Sequence, residues 1–145
     1  MIAGIGIDLV DVARIAAISS RWQGAFLRRV YTEAEIAYCR GRARPAVHLA
    51  ARFAVKEAFL KSLGLGLGMG IRLRDVETVN DPDGRPRVRL AESARVLMSS
   101  RGIDRVKVSI THTREQAAAI VTLEKRADRV ETGRISGERG DETQV

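Results

Sequence analysis

A long helix that is apolar on nearly every side is the feature that most constrains this fold. The sequence predicts it from Pro45 to about Leu63, because proline is favoured at the first position of a helix and the glycine-rich run LGLGLGMG at residues 63–70 ends the helical pattern. Small and apolar side chains recur all round its axis, so little of the circumference is polar. We therefore expect this helix to be substantially buried at the centre of a domain.

Short strands and further helices are predicted on both sides of this central helix. The strand patterns are IAGIGI at residues 2–7, which ends at Asp8, then DVETVN, RPRVRL, KVSI and AAAIVTL. The helical patterns begin after Asp11 and then cover residues 22–30, 33–40 and 91–100. Thr32 and Glu35 have the spacing of a capping box at the start of the 33–40 helix. The predicted fold class is α/β (α+β), a small antiparallel sheet packed on the long central helix.

Length and composition fit one globular domain followed by a tail. The chain has 145 residues, 45% hydrophobic and 30% charged, and residues 1–124 carry all the predicted elements. Apolar residues thin out over residues 125–145, which predicts a flexible tail. The N-terminus has no basic segment before its apolar run, and no apolar stretch approaches the roughly 20 residues of a membrane span. With Cys39 as the single cysteine, we expect a soluble, cytoplasmic protein without a disulfide framework or a membrane partner.

The net charge of +7 is concentrated before the tail. Five basic and five acidic residues balance within 125–145, so the excess lies in residues 1–124. Eight arginines, opposed only by Glu33 and Glu35, fall between residues 14 and 52 and predict a basic surface: Arg14, Arg21, Arg28, Arg29, Arg40, Arg42, Arg44 and Arg52. Arginine pairs with phosphate and carboxylate groups, so nucleic acid, an acidic protein and a nucleotide all qualify as partners, beside solvated helix faces without any partner.

Two charged residues within the central helix need an explanation. Glu57 and Lys61 are four residues apart, the spacing of a helical salt bridge, and a structural ion pair is as well supported as a functional pair. Asp8 follows a strand, where ligand-binding residues and turn or capping residues both occur. Asp8 and Glu57 from separate elements could hold Mg²⁺, which takes one or two carboxylates together with substrate phosphates. The glycine-rich run is not a Walker sequence.

Five stretches of the sequence together resemble the phosphopantetheinyl transferases. GIDLVDVARI at residues 6–15 and RFAVKEAFLKSLG at residues 52–64 are similar to the two signature motifs of that family. The resemblance continues through Tyr31, Thr32 and Glu33, through the NDPDGRP turn and through SITHT at residues 109–113, where Thr111 replaces the usual serine. It covers about residues 1–124 in the family's order. A single unit of this length resembles the short, holo-acyl-carrier-protein synthase type.

The resemblance implies a fold, a reaction and an assembly. The expected fold is the 4'-phosphopantetheinyl transferase-like fold. The expected reaction transfers 4'-phosphopantetheine from coenzyme A to a serine of apo-acyl carrier protein and releases adenosine 3',5'-bisphosphate, in support of fatty acid biosynthesis. The family also implies a homotrimer with active sites between neighbouring subunits.

The resemblance also implies roles for individual residues. Asp8 and Glu57 would bind magnesium, Lys61 would neutralise charge on the coenzyme A phosphates, and Glu57, directly or through a metal-bound water, would help to remove the serine proton. His112 and Thr113 match residues near the coenzyme, and Gly64 would let the backbone approach it. Arg44 is a candidate for a nucleotide phosphate. The acidic carrier protein would be docked by Arg14, Arg21 and Arg28.

Two alternatives come from other classes of protein. The charge of +7 would also suit a nucleic-acid-binding module, but only 4% of the residues are aromatic and no stacking platform or nucleic-acid motif is present. A coenzyme A- or carrier-binding protein that lacks catalysis is the second alternative. The presence of Asp8, Glu57 and Lys61 counts against it.

Overall fold

The computed structural model describes residues 1–21, 24–66 and 69–126. The α-helices in these ranges are α1 (Val12–Arg21), α2 (Gly24–Val30), α3 (Glu33–Arg40), α4 (Pro45–Ser62) and α5 (Glu92–Ser100). The strands are β1 (Ile2–Asp11), β2 (Val76–Asn80), β3 (Pro86–Leu90), β4 (Ile103–His112) and β5 (Gln116–Lys125), and a 3₁₀ turn (Leu73–Asp75) precedes β2. The predicted class of mixed α and β structure is confirmed.

The strands form two antiparallel sheets. The larger sheet has the order β1-β5-β4, and β2 pairs with β3 in the smaller one. In the larger sheet Asp8 is opposite Ala119 and His112 is opposite Ala117. Asp8 and His112 therefore lie on strands at opposite edges of this sheet, with β5 between them.

Helix α4 is the predicted central helix, and its burial is confirmed. Twelve of its eighteen residues are buried, from Val47 to Ser62, and they include the charged Arg52 and Lys56. Pro45 occupies the first turn of the helix, as expected. The helix packs against the larger sheet, so the core of the domain lies between α4 and the inner faces of β1 and β5.

Two glycines in β1 allow α4 to approach the sheet closely. A Cβ atom at Gly6 would lie 1.9 Å from the carbonyl oxygen of Ala58, and one at Gly4 would lie 2.1 Å from that of Ser62. Both contacts are far shorter than any real carbon–oxygen contact, so no larger residue fits without moving the helix. Since alternate residues of a strand face the same side, Asp8 also faces α4.

Three sequence-based expectations are corrected by the structure. Strand β1 does not end before Asp8 but continues to Asp11, because β5 pairs with it as far as Gln116. Arg52 is only 3% exposed and Glu35 only 1%, so neither belongs to the predicted basic surface. The segment DVETVN is a strand only from Val76, because Asp75 belongs to the 3₁₀ turn.

Other local predictions are confirmed. Thr32 and Glu35 form a reciprocal capping box at the start of α3. Strands β4 and β5 form the closing hairpin, longer than predicted, with His112 at its turn. The predicted flexible tail over residues 125–145 lies, from residue 127 onward, outside the described residues. Within the described part of the chain, no helix has the length and apolar character needed to cross a membrane.

Candidate active site

Asp8 of β1 and Lys61 of α4 form an ion pair and line the same groove. The ammonium group of Lys61 donates to Asp8 Oδ1 at 2.8 Å and to the carbonyl oxygen of Ile7 at 3.1 Å. The Asp8 side chain is 14% exposed and that of Lys61 is 52% exposed. The sequence spacing predicted Glu57 as the salt-bridge partner of Lys61, but the salt bridge is formed with Asp8, because the close packing of β1 on α4 brings the two elements together.

Glu57 lies in the same groove, half-buried one helical turn before Lys61. Burial raises the pKa of its carboxyl group, and the negative charge of Asp8 raises it further, whereas Lys61 and Arg14 act in the opposite direction. The two carboxylates therefore repel each other at a site where a cation would relieve the repulsion. We call this groove of about 330 Å³ the acidic groove; it is lined by Asp8, Asp11, Arg14, Ile18, Phe53, Glu57 and Lys61 among others.

The donor set of the acidic groove fits magnesium. No cluster of three or more His, Cys, Asp or Glu side chains suited to a metal occurs in the described ranges, so a site built wholly from protein ligands, as for zinc, is not formed there. Magnesium instead keeps several waters and takes one or two carboxylates together with substrate phosphates. Asp8 and Glu57 supply that number of carboxylates. Lys61 adds a positive charge beside them.

A second pocket contains His112 and lies beside the other flank of α4. The imidazole of His112 is 5.8 Å from that of His48, which is 6.0 Å from the ring of Tyr38 (centroid distances). The guanidinium of Arg52 stacks on the Tyr38 ring at 3.9 Å from its centroid and donates to Asn80 Oδ1 at 2.8 Å. We call this the histidine pocket; its volume is about 190 Å³, and Gly84, Pro86 and Ile110 also line it.

The histidine pocket has the electrostatics of an anion site. The pKa of His48 is lowered, first by burial and then by the positive charges of Arg52, His112 and Arg42. The Nε atom of Arg52 is buried and has no hydrogen-bond acceptor among the described residues. A pocket in which cationic groups repel one another and a buried donor lacks an acceptor would be stabilised by a bound phosphate or carboxylate.

The acidic groove and the histidine pocket are separated within one chain. They have no lining residue in common. Glu57 and Arg52 are five residues apart on α4, which places them about 140° apart around the helix axis. Asp8 on β1 and His112 on β4 are two strand spacings apart, about 10 Å across the sheet. The structure therefore brings Asp8, Glu57, Lys61 and Arg14 together but holds His112 apart from them.

The remaining predicted residues occupy the ends of elements. Thr113 lies in the β4–β5 turn, where its hydroxyl accepts from the backbone amides of Glu115 and Gln116. Gly64 follows the end of α4 with φ of 71°, a conformation that favours glycine. Arg44 is exposed and immediately precedes α4. Each of these positions is reachable from solvent.

The three arginines predicted to dock a carrier protein are not all in one groove. Arg14 lines the acidic groove, and Arg21 is exposed at the end of α1. Arg28 lines a different groove, between α2 and α3, with Glu33 and Arg40.

Sequence reasoning missed two buried charged residues of the site region. Lys56, which precedes Glu57, is fully buried and paired with Glu35 at 2.8 Å. Arg52 was predicted to lie on the surface, but it is buried and lines the histidine pocket. The sequence could have predicted their burial, because α4 has no polar face and a cation within such a helix needs a buried partner.

Comparison with known proteins gives the family. The family model of the 4'-phosphopantetheinyl transferase superfamily matches residues 4–122. A holo-[acyl-carrier-protein] synthase of Syntrophus aciditrophicus is 53% identical over 124 residues, which cover 86% of this chain and 97% of that protein. The crystal structure of holo-[acyl-carrier-protein] synthase from Neisseria meningitidis has a TM-score of 0.80 at 32% identity and covers 86% of this chain and 100% of its own.

A further solved structure carries a ligand. The holo-(acyl-carrier-protein) synthase of Bacillus anthracis, solved in complex with CoA (3',5'-ADP), has a TM-score of 0.71 at 34% identity, over 87% of this chain and 99% of that one. The chain described here belongs to the 4'-phosphopantetheinyl transferase superfamily. Within that class, the proteins to which it is similar over nearly their whole length are the short holo-[acyl-carrier-protein] synthases.

Proposed function

We propose that this protein transfers 4'-phosphopantetheine from coenzyme A to a serine of apo-acyl carrier protein, in support of fatty acid biosynthesis in the cytoplasm. The observation that carries the proposal is the acidic groove, in which Asp8, Glu57 and Lys61 from two elements converge in a member of this superfamily. In the reaction, the serine oxygen attacks the phosphorus that bears the pantetheine arm. The bond from that phosphorus to the 5'-phosphate breaks, and adenosine 3',5'-bisphosphate leaves.

Asp8 and Glu57 would hold Mg²⁺ at this site. When bound there, the ion would supply Lewis-acid stabilisation of the negative charge that develops on the phosphates during transfer. Lys61 is half-exposed and within reach of Asp8, so its ammonium group can move to a phosphate oxygen when coenzyme A binds.

Glu57 is also the candidate that assists removal of the serine proton. A general base must be ionised and close to the proton that it takes, directly or through one water. Glu57 lines the acidic groove beside Asp8, so its carboxylate could take the serine proton directly or through a water held by the ion.

The histidine pocket would bind the nucleotide end of coenzyme A. Coenzyme A has a pyrophosphate, which the acidic groove would hold, and one further phosphate on its ribose. Arg52 and His112 offer donors to the remaining phosphate. Thr113, Gly64 and Arg44 are the other candidate contacts to the coenzyme.

The carrier protein would dock beside the acidic groove. Acyl carrier proteins are acidic, and Arg14 lies within the groove while Arg21 is exposed at the end of the same helix. Arg28 is the third candidate, at the next groove along the surface. Arg21→Glu, outside the lining of the acidic groove, is therefore expected to raise the KM for the carrier several-fold with little effect on the KM for coenzyme A, in steady-state assays that vary one substrate at a time. A rise in the KM for coenzyme A alone would contradict this docking site.

A homotrimer would join the two separated parts of the site. Because the acidic groove and the histidine pocket lie on opposite flanks of α4, neighbouring subunits could place the groove of one chain against the pocket of the next. An apolar stripe on the outer face of β1 supports such an assembly: Ile5, Ile7 and Leu9 are each more than 60% exposed. The proposed catalytic domain is residues 1–124, with the tail not needed for the reaction.

Intact-mass spectrometry of the carrier protein tests the proposed function. Apo-acyl carrier protein incubated with this protein, coenzyme A and Mg²⁺ is expected to gain the mass of one phosphopantetheine, and a chelator is expected to prevent the gain. Asp8→Ala and Glu57→Ala should remain folded and lose transfer by about 100-fold or more. Asp104→Ala, an exposed acidic residue of β4, is the matched control and should retain the activity. Absence of any mass gain with wild-type protein and a competent carrier would contradict the proposal.

A further inference from the structure

A fully buried ion pair joins α4 to α3 next to the catalytic motif. The Nζ of Lys56 is 2.8 Å from Oε2 of Glu35, and both side chains are 0% exposed. The same ammonium group donates to the carbonyl oxygens of Val76 and, at 3.1 Å, of Leu73. Lysine has three donors, so all three are satisfied inside the protein. Lys56 therefore has no donor left for a substrate.

Glu35 extends this contact to the β2–β3 sheet. Its Oε2 also accepts from the backbone amide of Thr32 at 3.0 Å, and its Oε1 accepts from the backbone amide of Thr78 at 2.8 Å. Besides the ion pair itself, four backbone groups thus contact this carboxylate and ammonium group, from the N-cap of α3, the 3₁₀ turn and β2. The ion pair fixes the position of β2 against α4.

Strand β2 connects the ion pair to the histidine pocket. Asn80 is two residues after Thr78 on β2 and accepts a hydrogen bond from Arg52 at 2.8 Å. Arg52 is one helical turn before Lys56, on the same side of α4. The amide of Asn80 in turn donates to the carbonyl oxygen of Gly84 at 3.0 Å, and Gly84 lines the pocket. A shift of β2 relative to α4 would move Asn80 and Gly84 away from Arg52.

Tyr38 connects the other half of the ion pair to the same pocket. It lies on α3, one turn after Glu35, and its ring packs against Arg52 and His48. Through the ion pair, Lys56 of α4 therefore holds α3 at Glu35, and through its bond to the Val76 carbonyl it holds β2. Each of these two elements contributes a residue to the histidine pocket, α3 through Tyr38 and β2 through Asn80. In the acidic groove Lys61 pairs with Asp8, whereas Lys56 pairs with Glu35, so the two ion pairs are separate.

We propose that Lys56 and Glu35 are positioning residues that set the geometry of the histidine pocket for the nucleotide phosphate of coenzyme A, and that Lys56 is not a catalytic residue despite its place beside Glu57. The inference rests on the proposed function of that pocket. A stability role alone does not account for the pair, because a buried ion pair contributes little net stability compared with apolar residues of similar volume.

The test compares three variants by steady-state transfer kinetics and by calorimetric binding of adenosine 3',5'-bisphosphate. Lys56→Met removes the cation and leaves Glu35 unpaired. Glu35→Gln combined with Lys56→Met removes both charges, so this double variant is expected to fold even if the single one does not. Lys61→Met, the same substitution five residues later, is the matched control for loss of a lysine that acts at the reacting phosphates.

The expected result is a split between KM and kcat. Lys56→Met and the double variant should raise the KM for coenzyme A by about tenfold or more and weaken binding of adenosine 3',5'-bisphosphate similarly, since small displacements of binding groups have large effects. Their kcat and their KM for the carrier should stay close to wild type. Lys61→Met should lower kcat instead.

Two outcomes would overturn the inference. A fall in kcat with an unchanged KM for coenzyme A would place Lys56 among the catalytic residues. An unchanged KM and unchanged bisphosphate binding in the folded double variant would reduce the pair to a stability role. Failure of the proposed function itself is distinguishable, because then the wild-type protein would transfer no phosphopantetheine.

Discussion

At the scale of single residues, two glycines and one aspartate explain how the acidic groove forms. Gly4 and Gly6 let the backbone of α4 touch β1, and Asp8 continues the same face of the strand to meet Lys61. In the motif GIGID, the two glycines thus form the packing contact with α4, and Asp8 follows them on the same face of the strand. The metal-binding role proposed for Asp8 depends on the glycines that precede it.

Gly6→Ala is expected to destabilise the protein and to reduce transfer. The added methyl group would meet the Ala58 carbonyl oxygen, a backbone atom that cannot move without moving α4. Overpacking of this kind costs about 1–3 kcal/mol, and the displaced helix would carry Glu57 and Lys61 away from Asp8. Urea unfolding measures the first effect and the transfer assay the second. Gly41→Ala is the control, because the nearest atoms there are at 3.6 Å; equal stability of the two variants would contradict the packing account.

At the scale of elements, the sequence predicted those helix and strand bounds that depend on the local residue pattern. The period and the end signals of α4 are local, so its bounds and burial could be predicted. The end of β1 depends on pairing with β5, more than 100 residues later, and two aspartates within the strand hid its true length. The partner of Lys56 is 21 residues away on α3, and the capping box already accounted for Glu35. A second role for that carboxylate could not be read from the sequence.

The contact of α3 with α4 predicts a pH dependence of stability. Burial and neighbouring cations lower the pKa of His48 below its ordinary value of 6.5. In the unfolded chain His48 takes up a proton as the pH falls through 6.5, whereas in the folded protein it resists protonation. The free energy of unfolding therefore decreases as the pH is lowered through this range, and this contribution is absent above it.

His48→Phe isolates that contribution. Phenylalanine keeps an aromatic ring against Tyr38 and His112 but cannot titrate. We expect the stability difference between wild type and His48→Phe, measured by urea unfolding, to change in favour of the variant between pH 7.5 and pH 5. The same difference at both pH values would show that His48 titrates normally in the folded protein.

At the scale of the whole molecule, the proposed assembly follows from what one chain leaves apart and what it leaves exposed. The acidic groove and the histidine pocket lie on opposite flanks of α4, and β1 presents isoleucine and leucine side chains outward. Ile7 also faces Ile120 of β5, which widens the apolar stripe.

Ile7→Asp is expected to prevent the proposed homotrimer from assembling and to abolish transfer. A carboxylate buried at an apolar interface without a partner is costly, and Ile7 is 65% exposed in the single chain, so folding of the chain itself should not suffer. Sedimentation equilibrium measures the assembly, with Val96→Asp on α5 as a control at a comparably exposed apolar residue. A trimeric, fully active Ile7→Asp protein would exclude this face as the interface.

The measurement that tests the account most directly is complementation between two inactive variants. Asp8→Asn disables the acidic groove and His112→Ala the histidine pocket, and the two chains are co-expressed and assayed by intact mass of the carrier protein, at a coenzyme A concentration far below the KM of the His112→Ala variant. If each site combines the groove of one subunit with the pocket of its neighbour, random mixing restores about one quarter of the wild-type sites, since each half is intact with a probability of about one half. Recovery near that fraction is the predicted result. No recovery, from mixed assemblies of two variants that are each inactive alone, would contradict a site shared between subunits.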